Sequence, residues 1–252
     1  MKTKREYWEY QYKLGRDYLV PLFKEWGVKL SESRILDVGC GEGGILHALK
    51  DYADISVIGI DISGSKIIEA CLTYPSKMVQ FFPADIQHYN PNKKFNLIIL
   101  RDTIEHLSER NRVMEKIGGL LLPGGKVFVS FPPFYSPFGG HQQMLGSFLR
   151  YVPWFHVLPV WRFFNWFIGK FDDNPGHLAE MNKIRDNRMS IIGFKELCEN
   201  SGFEIIRSRY YFSRPSFKIR YGIPVIRSKW LGRVPVLREI FTTGAFYLLE
   251  KK

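Results

Sequence analysis

A doubly wound, mostly parallel α/β sheet of seven strands, with an aromatic cap inserted after the fifth strand, is the architecture this sequence predicts. Three observations carry it. Short apolar runs of strand length alternate with helical segments up to Phe131, the pattern that crossover connections in a parallel sheet produce. A glycine-rich turn follows the first of these runs. The alternation then lapses between Pro132 and about Arg188, a stretch too long for an ordinary connection and too aromatic for a solvated linker, before it resumes. The 252 residues, 45% hydrophobic and 24% charged, are enough for one well-buried core and argue against a disordered or fibrous chain. Residues 1–252 therefore read as a single domain, with a helical lid at 1–30 and a substrate cap at 133–189.

Each element follows from local chemistry. Tyr7, Trp8, Tyr12, Leu14, Tyr18, Leu19 and Leu22 recur at mixed three- and four-residue spacing, which predicts helix until Pro21 disturbs it. The apolar run 34–38 is the first strand, and 45–49 continues as helix. The run 56–60 is the second strand, followed by Ser63 as N-cap for a helix over 66–72. Two more strands fall at 79–84 and 95–100. A helix over 109–120 stops at Pro123, Gly124 and Gly125, before the fifth strand at 126–131. After the cap, 191–200 is helical and closed by Gly202, and 203–212 and 245–250 supply the last two strands.

Asp102 and Glu105 have capping-box spacing and read as helix caps, and His106 reads as a packed histidine. Three cysteines, Cys40, Cys71 and Cys198, show neither disulfide-framework nor zinc-ribbon spacing, so no metal is expected and a reducing cytoplasm fits. The N-terminus lacks the apolar core of a secretory signal. The most apolar stretch, 152–169, is interrupted by Pro153, His156, Pro159, Arg162 and Asn165, too often for a spanning helix.

The chemistry begins in the run Ile35-Leu-Asp-Val-Gly-Cys-Gly-Glu-Gly-Gly44, where glycines let a ligand approach the backbone. Gly39, Gly41 and Gly44 satisfy GxGxxG, and Asp61 lies 22 residues beyond Gly39, so a nicotinamide-dependent dehydrogenase is one reading. Four features favour another. Asp37 sits at the tip of the first strand, where a carboxylate suits a cationic ligand better than a pyrophosphate. Asp85 ends the third strand, Leu107 closes the run Ile-Glu-His-Leu after the fourth, and Leu122-Pro-Gly-Gly125 precedes the fifth. In this order they resemble the motifs of class I S-adenosylmethionine (SAM) dependent methyltransferases, with their Rossmann-like fold, near the group that includes quinone-pathway O-methyltransferases. The resemblance is firm from about Arg34 to Pro132, weak over 191–212 and 243–250, and absent in the cap.

The resemblance implies that Gly39 and Gly41 face the methionine part of SAM and that Asp37 lies near its amino group. It implies that Asp61, with Ile62 beside it, accepts from both ribose hydroxyls, and that Asp85, with the Ile86 backbone, receives the adenine amine. Arg101, directly after the fourth strand, would meet the SAM carboxylate, with Arg16 on the N-terminal helix competing for that role. His141, shortly beyond the fifth strand, is the leading general base, because an imidazole accepts a hydroxyl proton near neutral pH. Tyr135, His156 and His177 are candidate substrate residues.

From Phe131 to Phe171 fourteen aromatic residues occur with no acid among them and only Arg150, Arg162 and Lys170 as charges. The net charge of +11 is uneven: 18 basic against 16 acidic residues up to Ser130, then 18 against 9. Arg214, Lys218, Arg220, Arg227, Lys229, Arg233 and Arg238, interleaved with Phe217, Tyr221 and Trp230, form a second basic series. An anionic membrane surface suits this mix, as do a cap core or an oligomer contact. Nucleic acid fits less well, since the aromatics come in apolar clusters with few phosphate donors between them. The expected reaction is O-methylation of a small, apolar or lipid-linked acceptor, in the cytoplasm and peripherally at the inner face of the membrane. Sugar or amino-sugar methylation and RNA methylation are the alternatives.

Overall fold

The computed structural model describes residues 3–76, 78–157, 166, 168–170, 172, 174–228 and 234–252. Its strands are β1 (Arg34–Val38), β2 (Ser56–Asp61), β3 (Val79–Pro83), β4 (Phe95–Arg101), β5 (Leu121–Phe131), β6 (Phe203–Ser213), β7 (Ile226–Arg227) and β8 (Gly244–Lys251). They form one sheet in the order β3-β2-β1-β4-β5-β8-β6-β7. Pairing from β3 to β5 is parallel, and β8 lies antiparallel to both β5 and β6. All seven expected strands are present, and β7 adds an eighth. At two residues, it is too short to leave a periodic signal. β5 also begins five residues early, because Leu121 pairs with Phe95 before the ladder resumes at Lys126 and Leu97, with Pro-Gly-Gly looped between.

The helices are α1 (Lys4–Leu14), α2 (Val20–Glu25), α3 (Gly44–Tyr52), α4 (Gly64–Thr73), α5 (Arg110–Leu120), α6 (Pro175–Asn187), α7 (Ile191–Asn200), α8 (Pro215–Tyr221) and α9 (Pro235–Phe241). Between α1 and α2, Gly15–Leu19 form a π-helical turn. Pro21 has no N–H to give to residue 17, and the helix widens just before it. Gly15 is required here: a Cβ would stand 2.7 Å from Cβ of Ala48, so only glycine lets this turn approach α3.

Alternation along β5 sends Val127, Val129 and Phe131 to one face and Phe128 to the other. On the first face Phe131, Phe194 and Tyr247 pack with Val113, Met114 and Ile117 of α5. On the second, Phe23 of α2 meets Phe128 edge-on at 5.0 Å, beside Trp26 and Phe246. The start of α7 is capped twice: Ser190 Oγ accepts from Gly193 N–H at 2.9 Å, and the Glu239 carboxylate of α9 accepts from Ile191 and Ile192 N–H at 3.0 and 2.8 Å.

The cap has a small core of its own, in which Leu145, Leu149, Phe155 and Ile168 pack on Met181 of α6. Phe148, Tyr151 and Trp166 remain exposed, with Arg150 over Tyr151 and Lys170 over Trp166. Trp161, Arg162, Phe163, Phe164, Phe167 and Phe171 lie outside the described residues, as do Lys229, Trp230 and Arg233. Among the described residues no helix is long and apolar enough to cross a membrane.

Candidate active site

The carboxyl ends of β1, β2, β3 and β4 carry the predicted cofactor residues other than Arg16 at one edge of the sheet, where open α/β folds bind ligands. Asp37 is 2% exposed at the end of β1. Burial pushes its carboxyl up to about 7; Arg101 opposes this and Asp61 adds to it. Gly39 adopts φ +78°, and a Cβ there would stand 2.6 Å from Thr103 Oγ1, so the turn excludes any side chain. Asp61 holds the loop: Oδ2 accepts from Gly41 N–H at 3.0 Å and Oδ1 from Ser63 N–H at 2.8 Å. Each oxygen keeps a further lone pair for a ligand hydroxyl. Ser63 stands at the N-cap of α4, but its hydroxyl meets Ser65 Oγ at 3.0 Å instead of capping, since its own N–H is drawn back to Asp61.

Ile62 projects its side chain into solvent above this loop, 79% exposed. Asp85 closes a turn by accepting from Gln87 N–H at 2.9 Å, while the Ile86 side chain is buried in the core behind it. Arg101 donates to Asp102 at 2.7 Å; burial works against its charge, but Asp102, Tyr10, Tyr7 and Asp37 together hold it firmly protonated. Arg16 lies outside this group. Gly15 turns toward α3, so the next residue faces solvent, where Arg16 bonds to Asp17 at 2.6 Å.

Gln11 is a residue that sequence reasoning missed. Buried on α1, it accepts from Gly44 N–H at 3.2 Å and so ties the N-terminal helix to the glycine loop. A lone amide on an otherwise apolar helix face was its only signal.

The capping role expected for Asp102 and Glu105 is replaced by another arrangement. Asp102 takes a left-handed φ of +51°, and its carboxylate lies between Arg101 and Arg214 Nη1, the latter at 3.1 Å. Two guanidinium partners bind a carboxylate more strongly than backbone N–H groups do. Burial opposes its charge, but Arg214 and Arg101 keep its carboxyl below the usual range. Glu105 is buried in a single 3₁₀ turn (Ile104–His106), and α5 starts only at Arg110 with Glu109 at its N-cap.

Glu105, His106, His141 and Glu180 form the polar centre of the cap's inner side. His106 Nδ1 is hydrogen-bonded to Glu180 on α6, and the rings of His106 and His141 meet at 5.0 Å. His106 is packed on His141 as part of this cluster. Burial disfavours its charge, yet Glu180 and Glu105 raise its basicity. Burial, then His106, pushes His141 down to about 3, so its ring is a neutral imidazole at physiological pH. Burial pushes Glu105 up to about 7, opposed by His106.

The other candidates are held by local contacts. Tyr135 is 38% exposed and packs edge-on against Phe134. His156 is buried, bonded through Nε2 to Phe134 O at 2.6 Å and packed over Gly140, and burial pushes it down to about 4. His177 sits in the first turn of α6 and bonds to Asp172 at 3.1 Å.

The residues at the sheet edge fit SAM. A buried carboxylate and the Arg101 guanidinium near it suit its amino and carboxylate groups, a carboxylate at the end of β2 suits a ribose diol, and the Gly39 turn admits no side chain. Fold and site together are of the kind found in class I SAM-dependent methyltransferase domains. The chain belongs to the methyltransferase-domain family, whose match covers residues 7–208. It is 37% identical over 102 residues to phosphoethanolamine N-methyltransferase 1 of Arabidopsis thaliana, covering 38% of this chain and 20% of that protein. It is 30% identical over 115 residues to a ubiquinone biosynthesis O-methyltransferase of Coxiella burnetii, covering 42% of this chain and 46% of that one. The chain thus spans between a fifth and a half of the length of these relatives. Its fold matches magnesium protoporphyrin IX methyltransferase of Synechocystis with bound SAH, at a TM-score of 0.56 and 16% identity over 96% of this chain and 84% of that one.

Proposed function

We propose that this chain transfers the methyl group of SAM to an oxygen of a small, largely apolar or lipid-linked acceptor held beneath the cap. The observation that carries this reading is the cluster of Glu105, His106, His141 and Glu180, contributed by the sheet edge and by the cap, beside the residues that fit SAM. Bound SAM supplies a methyl group activated by positive sulfur. Asp37 and Arg101 then orient its amino acid end, Asp61 and Ile62 its ribose, and Asp85 with the Ile86 backbone its adenine. Alignment contributes much of the rate in such an in-line displacement. The acceptor's proton passes to the cluster; burial pushes His141 down to about 3, away from the near-neutral basicity expected of it, so Glu105, pushed up to about 7, is the better acceptor and His141 stands beside it as a neutral imidazole.

Tyr135, half out of the cap, positions the acceptor. His156 and His177 brace the cap and the start of α6 instead of touching substrate. Phe148, Tyr151 and Trp166, exposed beside Arg150 and Lys170, suit docking on an anionic membrane surface that would present a lipid-linked acceptor.

The deciding experiment incubates the protein and methyl-labelled SAM with a lipid extract, a soluble metabolite extract and total RNA. Label in the lipid fraction is expected. Label confined to RNA or to water-soluble products would overturn the acceptor assignment, and tight NAD binding without SAM binding would overturn the reaction class. His141→Ala should lower turnover by roughly 10² or more while leaving SAM affinity nearly unchanged.

A further inference from the structure

We propose that Glu105, His106 and His141 form a binding site for one divalent transition metal ion of the zinc type. Their ligand atoms converge: His141 Nε2 lies 3.7 Å and His106 Nε2 3.9 Å from the same oxygen, Oε1 of Glu105, and one ligand atom from each residue falls within 4.8 Å of the others. These separations are too long for hydrogen bonds. Glu105 is 2% exposed, and among the described residues neither of its carboxylate oxygens has a hydrogen-bond partner. A buried, unsatisfied carboxylate is costly unless something cationic completes it.

The surroundings are those of a metal centre. Glu180 binds His106 Nδ1, and with Nδ1 as the donor the Nε2 of the neutral ring, 3.9 Å from Glu105 Oε1, carries the lone pair a metal needs. A carboxylate behind a ligating histidine is the usual outer support of such a ligand. Asn187 at the end of α6 donates to Glu105 O at 3.0 Å, and Arg110 donates to Asn187 O at 2.7 Å, so the helix carrying Glu180 is tied to the turn carrying Glu105 and His106. His141 holds a left-handed φ of +60°, a strained conformation for histidine that the surrounding structure must enforce.

Two imidazoles and one carboxylate suit zinc and its first-row neighbours better than calcium or magnesium, which prefer all-oxygen sites. Metal–ligand bonds of about 2.0–2.2 Å at tetrahedral angles place ligand atoms about 3.3–3.6 Å apart. The observed spacing therefore needs to close by only about half an ångström at the two His–Glu pairs. Sequence spacing gives no hint of this site, because the ligands come from separate segments on either side of β5. With the metal bound, Glu105 and the two imidazoles are ligands and no longer proton acceptors, and a remaining coordination position would take the acceptor oxygen and ease loss of its proton to water instead; that role rests on the methyl-transfer reading, whereas the site itself does not.

The test strips the full chain with a chelator and titrates it with Co²⁺, followed by Zn²⁺ competition. SAM is titrated separately by calorimetry. One equivalent of Co²⁺ should give a visible absorption band that Zn²⁺ abolishes and that Glu105→Gln and His141→Gln remove. Glu180→Gln, a change at a positioning residue, should keep a shifted band and weaken binding by about 10- to 100-fold. No band on the wild-type chain, or a band unaltered in folded Glu105→Gln and His141→Gln, would overturn the metal site. Loss of SAM binding with the band intact would instead overturn the methyltransferase reading.

Discussion

Asp37 makes a prediction at the scale of one carboxyl group. Its pKa, raised to about 7 by burial, means that the neutral acid stabilises the free protein fully below the ordinary carboxylate range, and that this contribution is lost as pH rises through about 7. The groups facing it are Arg101 of β4 and Asp61 of β2, with Tyr7 and Tyr10 of α1 around Arg101. An ammonium group bound beside Asp37 favours the charged form, so SAM affinity should strengthen from pH 5 to about pH 7 and then level off. Calorimetry across that range checks this, and Asp37→Asn should bind SAM more weakly with the slope removed. Without SAM, the same variant should melt higher than wild type at pH 8 and gain less at pH 5. Asp61→Ala should cost roughly 1–3 kcal/mol of SAM affinity, since it removes charge-assisted hydrogen bonds to ligand and loop alike. These acids were legible in the sequence because each ends a strand. Glu180 and Arg214 were not, because they reach the site from segments whose path no local pattern reveals.

At the scale of elements, strands and their crossover helices were readable because burial on both faces leaves nearly continuous apolar runs. The π-helical turn, the 3₁₀ turn at Ile104–His106 and β7 were not, since each is shorter than one reliable period. The cap of α7 is likewise invisible in sequence: Ser190 is adjacent, but Glu239 arrives from almost fifty residues away. Glu239→Ala should lower stability by about 1.5–3 kcal/mol, because two backbone N–H groups lose a charged acceptor. The thermal midpoint should fall by several degrees, with SAM affinity unchanged.

For the whole molecule, the uneven charge is the property that sequence counts already contain, whereas the direction in which it faces is not. Exposed Phe148, Tyr151 and Trp166 accompany Arg150 and Lys170 on the cap, and exposed Tyr221, Ile223 and Ile226 accompany Arg227 near the sheet's far edge. Cosedimentation should show binding to vesicles rich in anionic lipid and little binding to neutral ones. Raising the salt should weaken it, as screening of headgroup attraction requires. Phe148→Ser with Tyr151→Ser should reduce vesicle binding without unfolding the cap, whose core does not include them.

The position of β8 between β5 and β6 sets an order of events during synthesis. Both neighbours emerge from the ribosome well before residues 244–251, so each must wait with an open hydrogen-bonding edge, and Phe131, Phe194 and Phe203 wait without Tyr247 to cover them. The nascent protein is therefore most prone to aggregation just before β8 appears, and a chain ending at Thr243 should be recovered in inclusion bodies even though every residue of the candidate site is already present.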